Sequence, residues 1–377
     1  MILYITGSFP RLGDGIGDAA GKLFASMNEL TGIRLVTTDI PGIKEYVQEQ
    51  KYENAMLVPD WKYRTIRKLL KYAEEQNITQ ILIEYCGNGY KKDLAISFMP
   101  LMIRWHNLFS KKKIECHLRL HEYTMCRPAR KIFTWPLVRF CHHLDTPSFV
   151  EYEHLKKKFG RKVFKTGIGS NINWADTPKK KSEEGKKDKI NLAFFGGIYP
   201  GKGIEKLIEL WSRIEKQHPD KYRYYLLGGF PPNLTSAFDG YQQTIQKLIS
   251  EENLTEKIII TGFLPENEIE EKLDMIDIAV LPYEDGLTLR RGSFLAFLGR
   301  GVAVVTSQGD KEARQLFDNA SGVKMCANQE EMIQAILDYS ENGNYYQAGL
   351  SNTQYRSDFE WGNIAEKVLD CFKKDKE

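Results

Sequence analysis

A chain of 377 residues is too long for one ordinary hydrophobic core and fits two domains of typical size. Its 42% hydrophobic and 27% charged residues exclude a disordered or fibrous protein, and a net charge of +3 is too small to imply nucleic acid. Six cysteines without a CxxC pair, an N-terminus without the basic-then-apolar pattern of a signal peptide, and no run of about 18 uncharged apolar residues lead to the expectation of a cytoplasmic chain with free thiols that spans no membrane.

Residues 1–6 read as a strand that runs into a glycine-containing turn, where Gly13, Gly15 and Gly17 precede a helix carrying Ala20, Leu23, Phe24 and Met27. No acidic residue closes a following strand at dinucleotide spacing, so a dinucleotide fingerprint fits poorly. Residues 33–37 form a second strand. Residues 61–76 form a helix with Ile66, Leu69, Leu70 and Ala73 on one face and Lys62, Arg64, Arg67, Lys68 and Lys71 around it. A strand at 78–85 and an apolar helix at 94–109, interrupted near its start by Pro100, lead to a strand at 114–120. His121-Glu122 ends that strand, at the edge where open parallel sheets bind ligands, which makes His121 a candidate site residue. The plain alternative is a histidine bonded to nearby backbone. His117 and His121 share a face of a regular strand, but no third ligand follows at a familiar spacing, so no metal site is expected. His142 and His143 read as core or surface residues. Residues 144–149 precede a helix through about Lys158, and 163–169 lead to Ser170, Asn171 and Ile172.

Residues 176–189 are charged, lack large apolar side chains and read as an interdomain linker. Beyond them the apolar, bounded stretch 192–195 suits a strand buried on both faces of a parallel sheet. Gly196, Gly197, Gly201 and Gly203 make a turn where backbone approaches a ligand closely, and Lys202 sits just before a helix with Ile204, Leu207, Ile208 and Trp211 on one face. Exposed N–H groups, the positive end of the helix dipole and a lysine together make an anion site. An ordinary βα turn with a solvated lysine is the alternative. The alternation continues through 222–227, 241–251, 258–261, 266–275, 278–281, 293–299 and 303–307. Two successive βα arrays predict an α/β protein of two doubly wound, Rossmann-like domains facing a central cleft, which is the natural active site. The expected boundaries are 1–175 with a returning C-terminal helix at 359–377, the linker at 176–189, and 190–358.

The order of these landmarks carries a resemblance: Gly15-Ile16-Gly17, His121-Glu122, Gly167-Ile168-Gly169-Ser170, the 196–203 turn, Gly262-Phe263-Leu264, the stretch 277–283, and Arg290-Arg291-Gly292-Ser293. The chain resembles the retaining glycosyltransferases of family 4, with their two-domain B-type fold. That resemblance implies a nucleotide diphosphate sugar bound by the C-terminal domain, an acceptor bound by the N-terminal domain, and a metal-independent, hexosyltransferase-like enzyme with no cofactor. It implies His121, Lys202 and Arg290 as catalytic residues, with one of Arg290 or Arg291, not both, gripping the phosphates. Donor binding falls to Gly15, Gly17, Gly197, Lys202, Asp285, Arg290, Arg291, Gly292 and Ser293. The chain departs from the family at Ile198 and Tyr199, near where an arginine is common, and at Ala296, where a second glutamate is common; Glu284 or Asp285 is the candidate for the first. The expected reaction is sugar transfer to a glycan or lipid-linked acceptor in bacterial surface polysaccharide synthesis. A nucleotide-sugar epimerase or phosphorylase of the same fold and a catalytically silent partner subunit are the alternatives. The basic helix at 61–71, with Lys91, Lys92, Lys111, Lys112 and Lys113, leads to the expectation of peripheral docking on anionic lipid at the inner face of the plasma membrane.

Overall fold

The computed structural model describes residues 1–10, 15–87, 89–91, 93–124, 126–174, 189–230, 240–318 and 322–373. Gly13, Lys92 and the expected linker residues 176–188 lie outside the described residues. The chain divides into two compact units, Met1–Asn171 with Asp358–Glu377, and Ile172–Ser357.

The first unit is built on a seven-stranded, all-parallel sheet of order β3-β2-β1-β4-β5-β6-β7. Its elements are β1 (Ile2–Thr6), α1 (Gly15–Leu30), β2 (Ile33–Thr38), α2 (Ile43–Glu49), β3 (Met56–Val58), α3 (Tyr63–Glu75), β4 (Gln80–Tyr85), α4 (Met99–Phe109), β5 (Glu115–Leu120), α5 (Pro128–Phe140), β6 (His143–Thr146), α6 (Phe149–Phe159) and β7 (Val163–Lys165). Parallel strands need crossovers, and crossover helices cover both faces. On β1, Ile2 and Tyr4 face α1 side chains Leu23 and Phe24, while Leu3 and Ile5 face Trp61, Ile66 and Leu69. The alternation of strand side chains thus feeds two separate cores. The C-terminal helix belongs to the first core through Trp361, Ile364 and Val368, and the Trp361 indole donates to the Ser170 carbonyl at 2.8 Å.

Two local differences from the sequence reading have a common cause in proline. The apolar helix expected over 94–109 is a 3-10 turn, Leu94–Phe98, followed by α4, with Pro100 in the first turn of α4, where its missing N–H costs nothing. The helix α5, not foreseen, carries Pro136 inside it. The short β3 and the α2 before it were also not foreseen, and β3 is only three residues long.

Beneath the C-terminal edge of this sheet lies a buried charged row. Glu84, Arg119 and Asp145 are directly opposite one another on β4, β5 and β6 and are at most 1% exposed. Arg119 bonds to Asp145, donates to Thr166 Oγ1 and to the Gly167 carbonyl at 2.6 Å each, and holds Glu84 Oε1 at 3.6 Å from its Nε. His117 Nε2 lies 2.7 Å from Asp145 Oδ1, and the Thr166 hydroxyl donates to Asp145 Oδ2 at 2.5 Å. Burial pushes the Asp145 carboxyl up, but the Arg119 charge and the bonds from His117 and Thr166 outweigh it and hold it at about 2. Because the folded value lies below the ordinary one, its stabilisation is present above about pH 4 and is lost as the pH falls through about 2. Asp145→Asn is expected to cost about 3 kcal/mol or more near neutral pH, since Arg119 loses its nearest counter-charge. Urea titrations of the variant are also expected to lose the part of the acid destabilisation that lies in that window.

Candidate functional site

The second unit is a six-stranded parallel sheet of order β10-β9-β8-β11-β12-β13. It comprises β8 (Ile190–Phe195), α7 (Ile204–Gln217), β9 (Tyr222–Leu227), α8 (Tyr241–Glu251), β10 (Ile258–Ile260), α9 (Glu266–Met275), β11 (Ile278–Leu281), α10 (Gly292–Gly299), β12 (Ala303–Ser307), α11 (Lys311–Phe317), β13 (Val323–Cys326), α12 (Gln329–Ser340) and α13 (Asn344–Ser351). From β8 the chain winds outward to β10, then returns to the other side of β8 with β11. The direction of winding therefore reverses between β8 and β11, the position at which open parallel sheets form their ligand crevice.

Glycine shapes that crevice. Gly203 has φ of 77°, and a Cβ there would stand 2.0 Å from the Pro282 carbonyl oxygen, so the turn after β8 rests directly on the loop after β11. A Cβ on Gly196 would reach the Ser293 Cβ at 4.0 Å, which brings the start of α10 to the same place. Thus the 196–203 turn, Pro282-Tyr283 and the first residues of α10 converge at one sheet edge.

Both helices that begin here, α7 at Gly203 and α10 at Arg291, lack a side-chain cap. In the same unit α11 and α12 are capped by Asp310 and Asn328, whereas α8, α9 and α13 are not. What sets α7 and α10 apart is the cations beside their free N–H groups. Lys202 is half-buried, with its Nζ 4.9 Å from the centre of the Tyr199 ring. The Arg291 guanidinium lies 4.5 Å over the Tyr283 ring and pairs with Asp285; its side chain is 17% exposed and that of Asp285 69%. Tyr283 is buried, which pushes its phenol up to about 12, and its hydroxyl shares a 2.6 Å hydrogen bond with Ser293 Oγ.

The two adjacent arginines therefore part company. Arg290, expected as catalytic, is exposed, and of the two arginines expected at the donor it is Arg291 that is drawn over the ring. Gly197 is half-buried in the turn, Gly292 is exposed at the start of α10, and Ala296 is buried on the core side of that helix. A cavity of about 570 Å³ adjoins Tyr283, lined also by Lys206, Asp285, Ser307, Asn328 and Gln329. Tyr283, within the 277–283 landmark, was not among the expected site residues, since its hydroxyl contact with Ser293 has no sequence signature. Thr288 was missed as well; its Oγ1 is buried without a hydrogen-bond partner among the described residues.

In the first unit Gly15 and Gly17 open α1, Gly15 exposed and Gly17 buried. His121 follows β5 and is 7% exposed. Its Nε2 stands 2.8 Å from Glu84 Oε1, and the Tyr4 hydroxyl occupies the other oxygen of that carboxylate. A carboxylate, not backbone alone, therefore fixes the imidazole. His117 and His121 do not converge on a common point: the Nε2 of one meets Asp145 and that of the other meets Glu84. Among the described residues there is no group of three or more His, Cys, Asp or Glu that could hold a metal ion.

Comparison with curated proteins finds no match. Among solved structures, the chain is similar to a glycosyltransferase from Rickettsia africae (TM-score 0.73, 13% identity, covering 100% of this chain and 98% of that one). It is similar to HepE of Anabaena in complex with UDP (TM-score 0.74, 13% identity, 99% of each chain) and to sucrose-phosphate synthase from Thermosynechococcus elongatus (TM-score 0.67, 12% identity, 100% and 99%). These likenesses show the fold, and the glycine turn, the Tyr283 loop and α10 all fall in the part of the sequence that matches a family, Glycosyl transferases group 1, over residues 176–354. That stretch matches the group 1 glycosyl transferases, and the chain is a glycosyltransferase with two Rossmann-like units of the B-type fold.

Proposed function

We propose that the chain transfers a sugar, with retention, from a nucleotide diphosphate sugar to a glycan or lipid-linked acceptor in surface polysaccharide synthesis. The observation that carries this reading is the meeting of two uncapped helix N-termini with Lys202 and Arg291 at one switch point. A departing diphosphate gains negative charge as the glycosidic bond breaks, so donors and cations already in place favour the transition state over the ground state. Solved structures of Anabaena HepE, similar in fold, hold UDP and UDP-glucose, which supports a nucleotide sugar as donor here. Arg291 takes the role that an arginine in the first turn has elsewhere in the family, and Ser293 with the N–H groups of α10 completes the diphosphate contacts. Lys202 and Arg291 take the place of a metal ion. His121, fixed by Glu84, serves the reacting sugar and acceptor. No described helix is long and apolar enough to cross a membrane. Arg64, Arg67, Lys68 and Lys71 on α3 give the chain a basic face for an anionic bilayer, where a lipid-linked acceptor resides.

Lys202→Ala is expected to lower turnover by about 100-fold or more with an unchanged melting temperature. Near-normal turnover would return Lys202 to a solvated surface role. Arg291→Ala is expected to raise the barrier by about 2 to 4 kcal/mol and Arg290→Ala to change it little, measured as the ratio of kcat/KM values. The reverse ranking would move the phosphate site to the exposed arginine. His121→Ala is expected to lower kcat more than donor affinity; an unaltered rate with a lower melting temperature would make the residue structural. Activity is expected to persist in chelator, and loss that magnesium or manganese restores would refute the cation assignment. Incubation with donor alone separates transfer from epimerisation, since only the latter yields a new nucleotide sugar without acceptor.

A further inference from the structure

The 3-10 turn Leu94–Phe98 and α4 carry apolar side chains of two kinds. Ile96, Met99 and Ile103 enter the core. Leu94, Phe98, Leu101, Trp105, Leu108 and Phe109, spaced 3 or 4 residues apart apart from the final adjacent pair, are 40% to 75% exposed. This spacing puts them along one outward stripe. Large apolar residues exposed singly need no explanation, but a continuous stripe ending in an exposed Trp105–Phe109 ring pair, with centroids 5.6 Å apart, does. A groove of about 810 Å³ runs between this stripe and α3, lined by Leu101, Trp105 and Phe109 on one side and Tyr63, Arg67 and Lys71 on the other. Glu74 is its single acidic lining residue. Next to α4, α5 packs with Ile132, Phe133 and Trp135 also exposed.

Charge decides what covers this surface. Between Asp93 and Glu115 the sequence has no acidic residue but carries Arg104, Lys111, Lys112 and Lys113, and between Glu122 and Asp145 it has none but carries Arg127, Arg130, Lys131 and Arg139. A second copy of the chain would bring like charge against like charge. An anionic bilayer meets both needs, since aromatic side chains seat at the interface with the acyl chains while lysines and arginines reach the headgroup phosphates. We propose that the stripe from Leu94 to Phe109 inserts into the surface of an anionic bilayer, so that the chain is held by apolar burial and not by charge alone. The inference deepens the membrane part of the proposed function and rests on it: the basic face of α3 attracts, and the α4 stripe anchors.

The test is co-sedimentation with vesicles of phosphatidylglycerol and phosphatidylcholine, at low and high salt, alongside vesicles of phosphatidylcholine alone. The wild-type chain is expected to bind the anionic vesicles and to remain partly bound at high salt. Trp105→Ser with Phe109→Ser, both at exposed positions, is expected to weaken binding by about tenfold or more and to abolish the salt-resistant fraction. Arg67→Gln with Lys71→Gln is expected to weaken binding at low salt only. Equal salt-resistant binding by the Trp105/Phe109 variant would overturn the inference, as would a wild-type dimer that the same variant dissociates while vesicles go unbound. Both variants lie within the first unit, so hydrolysis of UDP-glucose by wild type and variants reports on the transferase reading, and vesicle binding reports on the anchor.

Discussion

Every strand in both sheets runs parallel to its neighbours, so every loop that leaves a strand's C-terminal end emerges on the same edge of its sheet. The candidate residues of each unit inherit their position from this. Lys202, Tyr283 and Arg291 follow β8 and β11, which are neighbours in space although about eighty residues separate them in sequence. Backbone packing then fixes how the two loops meet. Because a side chain at Gly203 would collide with the Pro282 carbonyl, the turn and the loop meet by contact between main chains. Gly228 repeats the device one strand away, where a Cβ would stand 2.1 Å from the Gly196 carbonyl oxygen.

The first unit invests in the opposite kind of interaction. Three charged side chains in one row of a buried sheet are costly to desolvate, and apolar replacements of the same volume would serve stability as well or better. What the row supplies is position. Arg119 ties β5 to β6 through Asp145 and to the segment after β7 through Thr166 and Gly167, so a shift of strand register would leave buried charge without a partner. Glu84 stands at one end of the row, and through it the order of the sheet reaches His121. The imidazole is thus set by a chain of buried contacts that runs across three strands.

Much of this was legible in the sequence, for a physical reason. Strands buried on both faces read as short apolar runs, and helices such as α3 and α7 show one apolar face, so most elements up to β12 were found from periodicity, the short α2 and β3 and the proline-containing α5 excepted. Three things were not. Glu84 breaks an otherwise apolar strand, and a single charge within such a run gives no sign of whether it is buried and paired. The exposed stripe on α4 was invisible because periodicity separates apolar from polar faces but does not say which apolar residues the core has room for. Which of Arg290 and Arg291 is drawn over the ring depends on the conformation of a loop, where adjacent residues point in directions that no repeat governs.

In the proposed function, that division supplies charge for a diphosphate in a chain without an arginine in the first turn. Lys202 and Arg291 each rest on an aromatic ring, Tyr199 and Tyr283, and a cation over a ring face is attracted without giving up its hydrogen-bond donors. Arg291 also pairs with Asp285, but that carboxylate is largely exposed, so the pair contributes at most about 1 kcal/mol. A phosphate offers the guanidinium two oxygens in the geometry of its fork and meets the N–H groups of α10 at the same time. In the proposed function the stacked arginine exchanges an exposed partner for a phosphate with little movement, over a ring anchored by burial and by the Ser293 hydroxyl.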